Sequence, residues 1–169
     1  MHLACYVVLA VGVGALAGVL WSRIVALPGY SVASDGKAAT SERGLTEFIG
    51  PDAWFAAIGL LVGVGLGVLA WRRFRDLGWP VVLLAVFSAL AAALICWATG
   101  YRLGPGDFAT RLASAKPGDF VEIQLTLRAK ASLIVWPFVA SVPVLLGSSL
   151  GRDDEEPTPI FRRRRRSAG

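Results

Sequence analysis

Apolar residues fall into four long runs that together make up about half of the chain. None of these runs contains Asp, Glu, Lys, Arg or His, and charged or histidine residues flank each of them. An α-helix rises about 1.5 Å per residue, so about 20 apolar residues cross a hydrocarbon layer about 30 Å thick. The pattern therefore predicts four transmembrane helices, over residues 3–22, 53–71, 77–101 and 131–151.

The rest of the chain divides around these helices. We predict an all-α membrane protein, with residues 1–151 forming one four-transmembrane-helix bundle and residues 152–169 a disordered cytoplasmic tail. The alternative for the first run is a cleaved signal peptide. The chain begins Met1-His2-Leu3-Ala4-Cys5, without the basic segment of a signal peptide, and the run is as long as a full span. We therefore expect the first helix to be retained.

The orientation follows from a tight turn between the second and third runs. Arg72, Arg73 and Arg75 lie within five residues there, and arginines in short loops favour the cytoplasmic side. The totals of lysine and arginine on the two sides are nearly equal. The prediction of orientation therefore depends on the high density of arginine in this short turn. We predict a multi-pass protein of the cell membrane with both termini cytoplasmic and the loops 23–52 and 102–130 outside.

Small residues recur every four positions in the first three runs. Helices in lipid are held by close approach at small residues, because lipid provides no hydrophobic drive between them. The sequence predicts that the first two helices pair through their glycine stripes, with the stripe of the second helix as an alternative oligomer interface or pore wall. The predicted helix-packing glycines are Gly14, Gly18, Gly59, Gly63 and Gly67, and Ala85, Ala89 and Ala93 repeat the spacing in the third run.

Aromatic and proline residues mark other positions in the runs. Trp54, Trp71, Trp79, Trp97, Tyr101 and Trp136 fall at or near the span ends, where amphipathic rings favour the membrane interface. Pro137 and Pro143 lie inside the fourth run, and a proline that removes an amide donor predicts a bent helix.

The second outer loop predicts a small extracytoplasmic cap that contains one short strand. The loop repeats a tetrapeptide at Pro105 and Pro117, and each Pro-Gly pair predicts a type II turn. Residues 109–115 between them favour a helix capped by Asp107. Residues 120–128 alternate apolar and polar, which predicts a half-buried strand. Its candidate partners in the first loop are residues 30–32 and 45–49, separated by a stretch typical of a flexible link. The strand either recruits a protein partner at its edge or closes the bundle.

Chemical motifs are sparse in this sequence. The sole histidine is His2, no Cys/His cluster has metal-ligand spacing, and no phosphate-binding loop or nucleophile elbow occurs. Asp52 follows Pro51 at the start of the second helix, where a carboxylate satisfies free amides and complements the dipole. Cys5 and Cys96 are predicted to lie in opposite leaflets, too far apart for a disulfide. We predict no enzymatic activity, no cofactor and no metal.

The net charge of +5 reflects basic residues at the tail and the tight turn. Such positive clusters indicate contact with anionic lipid headgroups of the bilayer or with an acidic partner, not with nucleic acid. The predicted lipid-facing basic residues are Arg72, Arg73, Arg75, Arg162, Arg163, Arg164, Arg165 and Arg166.

The assembled pattern resembles a known group of membrane proteins. Leu20-Trp21 ends the first run, Pro51-Asp52-Ala53-Trp54-Phe55 opens the glycine-rich second, arginines form the tight turn, and Trp136-Pro137 lies in the fourth. These features resemble the uncharacterised four-span membrane proteins of actinobacteria, which carry a domain of unknown function. The resemblance implies the four-span fold and no specific activity.

The function that the sequence favours is an accessory or scaffold component of the cell envelope. Such a component would present the second outer loop to a membrane-protein partner. The alternative is a small transporter or channel subunit, in which the glycine stripe and a bent fourth helix permit movement. A continuous polar cavity would favour transport, and a dry, tightly packed interior would favour the scaffold.

Overall fold

A computed structural model describes residues 2–32, 38–39, 49–116 and 118–150 of the chain. Four of the helices in this part are long and apolar enough to cross a membrane, which confirms the four predicted spans at that level. In chain order, the elements are α1 (His2–Ile24), β1 (Gly29–Val32), β2 (Ala38–Ala39), α2 (Gly50–Phe74), α3 (Pro80–Leu103), α4 (Phe108–Ala113), β3 (Phe120–Glu122) and α5 (Ser132–Leu150). The tail predicted to be disordered, residues 152–169, lies outside the described residues.

The turn between α2 and α3 lies three residues later in the chain than the sequence predicts, over residues 75–79 instead of 72–76. A single 3₁₀ turn over Arg75–Leu77 follows α2, and the amide of Gly78 donates to the Arg75 carbonyl at 3.1 Å. Gly78 has a φ of 70°, a conformation that glycine adopts without strain. The third helix therefore begins at Pro80 and not at residue 77, because proline is favoured in the first turn of a helix.

The first long helix packs against the third. A Cβ placed on Gly14 would lie 2.5 Å from the Ala92 carbonyl oxygen, and one on Gly18 would lie 2.6 Å from that of Cys96. Any side chain at these positions would collide with the α3 backbone. The two glycines thus let α1 and α3 approach at backbone distance, as small residues do in membrane helix pairs.

The second long helix packs against the fourth in the same way. Gly59 faces the indole ring of Trp136, and Gly63 lies under the backbone of the same residue, with a Cβ there 2.7 Å from the Trp136 carbonyl oxygen. Gly67 faces the Ala140 backbone. Three consecutive turns of α2 therefore receive one face of α5.

The predicted pairing of the first two helices through their glycine stripes is wrong. The α1 glycines contact α3 and the α2 glycines contact α5, while α1 and α2 share a much smaller contact. The reason is complementarity: α3 offers an alanine face to α1, and α5 offers the flat ring of Trp136 and the small side chain of Ala140 to α2.

Small side chains and a few large rings fill the centre of the bundle. Ala85, Ala89 and Ala93 of α3 are fully buried, as their spacing predicts for a packing face. The largest fully buried side chains include Trp21 and Trp136. Burial of Trp136 corrects its assignment to the membrane interface; Trp54 and Trp79, by contrast, are 49% and 76% exposed.

The fourth long helix continues through both of its prolines. Pro137 and Pro143 lie inside α5, which runs without interruption from Ser132 to Leu150. The bend that the prolines indicate stays a prediction.

The glycine contacts can be tested with a matched pair of substitutions in α1. We expect Gly14→Leu to lower the free energy of unfolding by about 1–3 kcal/mol, because the new side chain must displace the Ala92 backbone. Gly12→Leu should change it little, since a Cβ on Gly12 would meet no atom of the described structure within 4 Å. Denaturant titration in detergent micelles, followed by circular dichroism, measures both. Equal destabilisation by the two variants would contradict the α1–α3 contact.

Candidate functional site

The two long connections fold together at one end of the bundle. We call their described residues, 25–32, 38–39, 104–116 and 118–131, the cap. Strand β1 pairs antiparallel with β3, with Tyr30 opposite Val121, and pairs on its other side with β2. The first-loop segment 30–32 is therefore the strand partner, one of the two alternatives from the sequence. The other, 45–49, lies outside the described residues except for Ile49.

The predicted strand over 120–128 is correct in its burial pattern and wrong in its length. Val121, Leu125 and Leu127 are all buried, but only Phe120–Glu122 form a strand. One further bond joins the Ile123 amide to the Pro28 carbonyl at 2.9 Å. The residues before Pro28 lead back to the end of α1 and not along the sheet. Residues 124–128 therefore have no β1 residue opposite them.

The described residues next to Pro117 have the geometry of the predicted turn, and those at the first Pro-Gly pair do not. Gly118 has a φ of 96°, and the Asp119 amide donates to the Lys116 carbonyl at 3.0 Å, as a type II turn requires. The Asp119 carboxylate also accepts from the Lys116 amide at 2.8 Å. Positive φ does not occur at Gly106. There the chain passes directly into α4, and the Gly106 carbonyl accepts from Arg111 Nε at 3.3 Å.

Asp107 caps α4 as the sequence predicts, although the helix covers Phe108–Ala113 rather than residues 109–115. Its carboxylate accepts from the Thr110 hydroxyl at 2.8 Å and from the Thr110 amide at 3.1 Å. These hydrogen bonds, the one from the hydroxyl first, lower the pKa of the Asp107 carboxyl.

Arg111 covers the outer edge of the cap sheet. Its guanidinium donates to the Glu122 carbonyl at 2.5 Å, in addition to its bond with Gly106. The same side chain borders a polar hollow of about 290 Å³. The hollow is lined by Arg111, Ser114, Ala115, Asp119, Phe120 and Val121. Because a side chain already occupies an edge carbonyl of β3, addition of a strand from another protein is disfavoured at this edge.

Asp52 fastens the cap to α2. Its two carboxylate oxygens accept from the amides of Arg128 and Ala129, at 3.1 and 2.9 Å, which lie just before α5. The sequence predicts that this carboxylate satisfies amides at the start of its own helix. Its position in the first turn of α2 agrees with a dipole interaction, but its hydrogen bonds go to the segment that leads into α5.

Three rings lie below the cap and close that end of the bundle. Trp21 and Phe55 meet edge to face, with ring centroids 5.3 Å apart, and Phe55 lies 5.4 Å from Trp136. The Trp21 indole Nε1 donates to the Pro51 carbonyl at 2.9 Å. The Trp136 Nε1 is buried without a hydrogen-bond partner among the described residues. All three rings are fully buried.

A polar contact joins three helices nearer the opposite end. The Tyr6 hydroxyl donates to the Leu66 carbonyl at 3.0 Å and lies 2.9 Å from the Ser88 hydroxyl. The Ser88 hydroxyl also donates to the Ala85 carbonyl at 3.0 Å. These bonds satisfy the two hydroxyls inside an apolar bundle, where an unpaired polar group is costly.

The basic residues of the tight turn lie at the end of the bundle opposite the cap. Arg72, Arg73 and Arg75 are exposed there. The Arg73 guanidinium donates to the His2 ring, with Nη2 2.8 Å from Nδ1, and so joins the ends of α1 and α2. Arg75 lies 3.9 Å from the exposed Asp76, a contact of little energetic value. The predicted lipid-facing Arg162, Arg163, Arg164, Arg165 and Arg166 lie outside the described residues.

The carboxylates of the cap end do not gather into one site. Asp52, Asp107 and Asp119 each bind backbone amides of a different segment. Within the part of the chain that the structure describes, no three His, Cys, Asp or Glu side chains lie close enough to hold a metal ion. Both cysteines are free thiols, with Cys5 exposed and Cys96 buried.

Sequence reasoning missed the structural roles of Trp136, Arg111 and the Tyr6–Ser88 pair. A signal for Trp136 was present, because it lies five residues inside the fourth run and not at its edge. Tyr6 and Ser88 were the kind of polar residues inside apolar runs that need a partner in lipid. Nothing in the sequence indicates the Arg111 contact.

Comparison of the chain with models of known protein families, with curated proteins and with solved structures returns no match. The resemblance to uncharacterised four-span actinobacterial membrane proteins therefore stays a prediction.

We call the two hydrogen bonds that Asp52 accepts from the Arg128 and Ala129 amides the Asp52 clamp. Loss of this clamp should change hydrogen exchange locally. We expect Asp52→Ala to speed exchange of the Arg128 and Ala129 amides, because a charge-assisted hydrogen bond contributes about 1.5–3 kcal/mol to holding each group. Asp52→Asn should give an intermediate rate, since one oxygen still accepts. Asp76→Ala, at the other end of the bundle, is the control. Unchanged exchange in Asp52→Ala would contradict the clamp.

The lowered pKa of Asp107 predicts the pH dependence of α4. The pKa of the Asp107 carboxyl is lower in the folded protein than its ordinary value, so the ionised carboxylate stabilises α4. This stabilisation is fully present above the ordinary aspartate pKa and is lost as the pH falls through the lowered pKa. The Thr110 amide resonance, followed by NMR in micelles, should therefore change with a midpoint below the usual aspartate range. Asp107→Asn should abolish that transition. A midpoint at or above the usual range would contradict the capping geometry.

Proposed function

We propose that this protein is a non-enzymatic accessory or scaffold component of the cell membrane, which holds the cap in a fixed position for a membrane-protein partner. The observation that supports this most is the Asp52 clamp, which ties the segment before α5 to the start of α2. The buried Trp21–Pro51 hydrogen bond joins α1 to the start of α2, directly below this attachment. A binding surface held in this way loses little conformational entropy when a partner docks.

The proposed orientation puts the cap outside the cell and both termini in the cytoplasm. The support is the density of arginine in the short turn between α2 and α3, where Arg72, Arg73 and Arg75 are exposed. In this orientation the turn and the basic tail face the cytoplasmic leaflet, whose anionic headgroups attract arginine.

The packing of the bundle supports a scaffold over a transporter or channel subunit. Gly14 and Gly67 bring helix backbones into contact, and such contacts leave no space between the paired helices. The rings of Trp21, Phe55 and Trp136 occupy the cap end of the interior. Moving a solute between these helices would require their separation.

The partner surface that we propose is the second connection of the cap. Phe120 is 63% exposed beside the polar hollow, and an exposed aromatic next to polar groups is typical of a protein-binding surface. The partner would contact this side-chain surface and would not add a strand, because Arg111 occupies the β3 edge.

Site-specific photocrosslinking in native membranes tests this proposal. A photoreactive amino acid at Phe120 or Ser114 should capture the same membrane protein, whereas one at the lipid-facing Leu61 should not. In parallel, vesicles that contain the purified protein should release small ions no faster than empty vesicles. Ion release above that background, without a common captured protein, would contradict the scaffold and favour the transporter or channel subunit.

A further inference from the structure

The contact between α1 and α2 is the loosest seam of the bundle, and it opens into an apolar groove. The groove has a volume of about 250 Å³ and is lined by hydrocarbon side chains. Its lining residues are Val13, Leu16, Ala17, Leu20, Ile58, Leu61 and Val62. It exists because the glycines of α1 and α2 draw these helices towards α3 and α5 and away from each other.

The groove occupies one half of the membrane thickness. Along α1 it extends from Val13, near the helix midpoint, to Leu20, close to the cap. Seven residues of helix correspond to about 10 Å, compared with about 15 Å for one leaflet of hydrocarbon. On α2 the groove extends from Ile58 to Val62, which lies at the midpoint of that helix. The groove therefore lies in the leaflet on the cap side and covers about two thirds of the length of an acyl chain there.

Cationic and amphipathic side chains mark the outer end of the groove. Arg23 lies two helical turns beyond Leu16 on the same stripe of α1 and is exposed in the last turn of the helix. Trp54 lies one turn before Ile58 on α2 and is 49% exposed. Tryptophan and arginine at this depth lie at the level of lipid headgroups, where arginine binds phosphate.

We propose that the groove between α1 and α2 binds one acyl chain of an anionic phospholipid from the cap-side leaflet, with Arg23 contacting the headgroup. The apolar lining accepts the chain, and the charge of Arg23 selects an anionic headgroup over a zwitterionic one. The lipid fills a seam that the protein leaves open, and so it completes the packing between α1 and α2. This inference does not depend on the scaffold role.

Photoactivatable lipids test the proposal. The full chain is placed in phosphatidylcholine nanodiscs that contain a trace of phosphatidylglycerol with a diazirine in its acyl chain, and the labelled peptides are mapped after irradiation. Labelling should concentrate on residues 13–20 and 58–62. It should exceed labelling by the matching phosphatidylcholine probe about fivefold, the factor that corresponds to the attraction of one arginine to a net negative headgroup.

Two variants and a control test the role of Arg23 and the position of the acyl chain in the groove. Arg23→Gln should remove the preference for phosphatidylglycerol, whereas Arg102→Gln, at the same end of the bundle on α3, should keep it. Val13→Trp should displace labelling from residues 58–62 by filling the groove. Even labelling around the whole bundle, a preference that survives in Arg23→Gln, or crosslinks from the groove to a second copy of the chain would each overturn the proposal.

Discussion

Close contact between helix backbones is the constraint on which the structure of this protein depends. In lipid, apolar side chains gain nothing by turning away from their surroundings, so the bundle is held by dispersion contacts and a few hydrogen bonds. Gly14 and Gly18 permit such contact between α1 and α3, and the stripe from Gly59 to Gly67 permits it between α2 and α5. The two tight pairs then join mainly through α3 and α5, which leaves the seam between α1 and α2 open.

The tight pairs also determine how the cap is positioned. Contact of Gly59 with Trp136 places that ring beside Phe55 and completes the aromatic layer under the cap. The start of α2 is then held near the start of α5, where the Asp52 carboxylate reaches the amides of Arg128 and Ala129. The rigid cap proposed as a partner surface and the open seam proposed as a lipid groove are therefore two consequences of one packing arrangement.

The sequence predicts those features that depend on local pattern. Hydropathy predicts the four spans, and capping chemistry predicts that Asp107 caps the N-terminus of α4. Spacing predicts the alternating burial of residues 121–127. The helix partners could not be predicted, because a glycine stripe indicates close approach without indicating to what. For the same reason Asp52 was assigned to its own helix: only the folded chain brings Arg128 beside it. The strand was predicted too long because its end depends on Pro28, which lies about ninety residues earlier in the chain.

The helix partners of the glycine stripes are tested most directly by NMR distance measurement. Nuclear Overhauser contacts from the Gly14 α-protons in a micelle-embedded sample should lead to Ala92 of α3, because a Cβ on Gly14 would lie 2.5 Å from its carbonyl oxygen. Those from the Gly67 α-protons should lead to Ala140 of α5. Contacts from Gly14 to the glycine stripe of α2 would contradict the arrangement on which the cap and the groove depend.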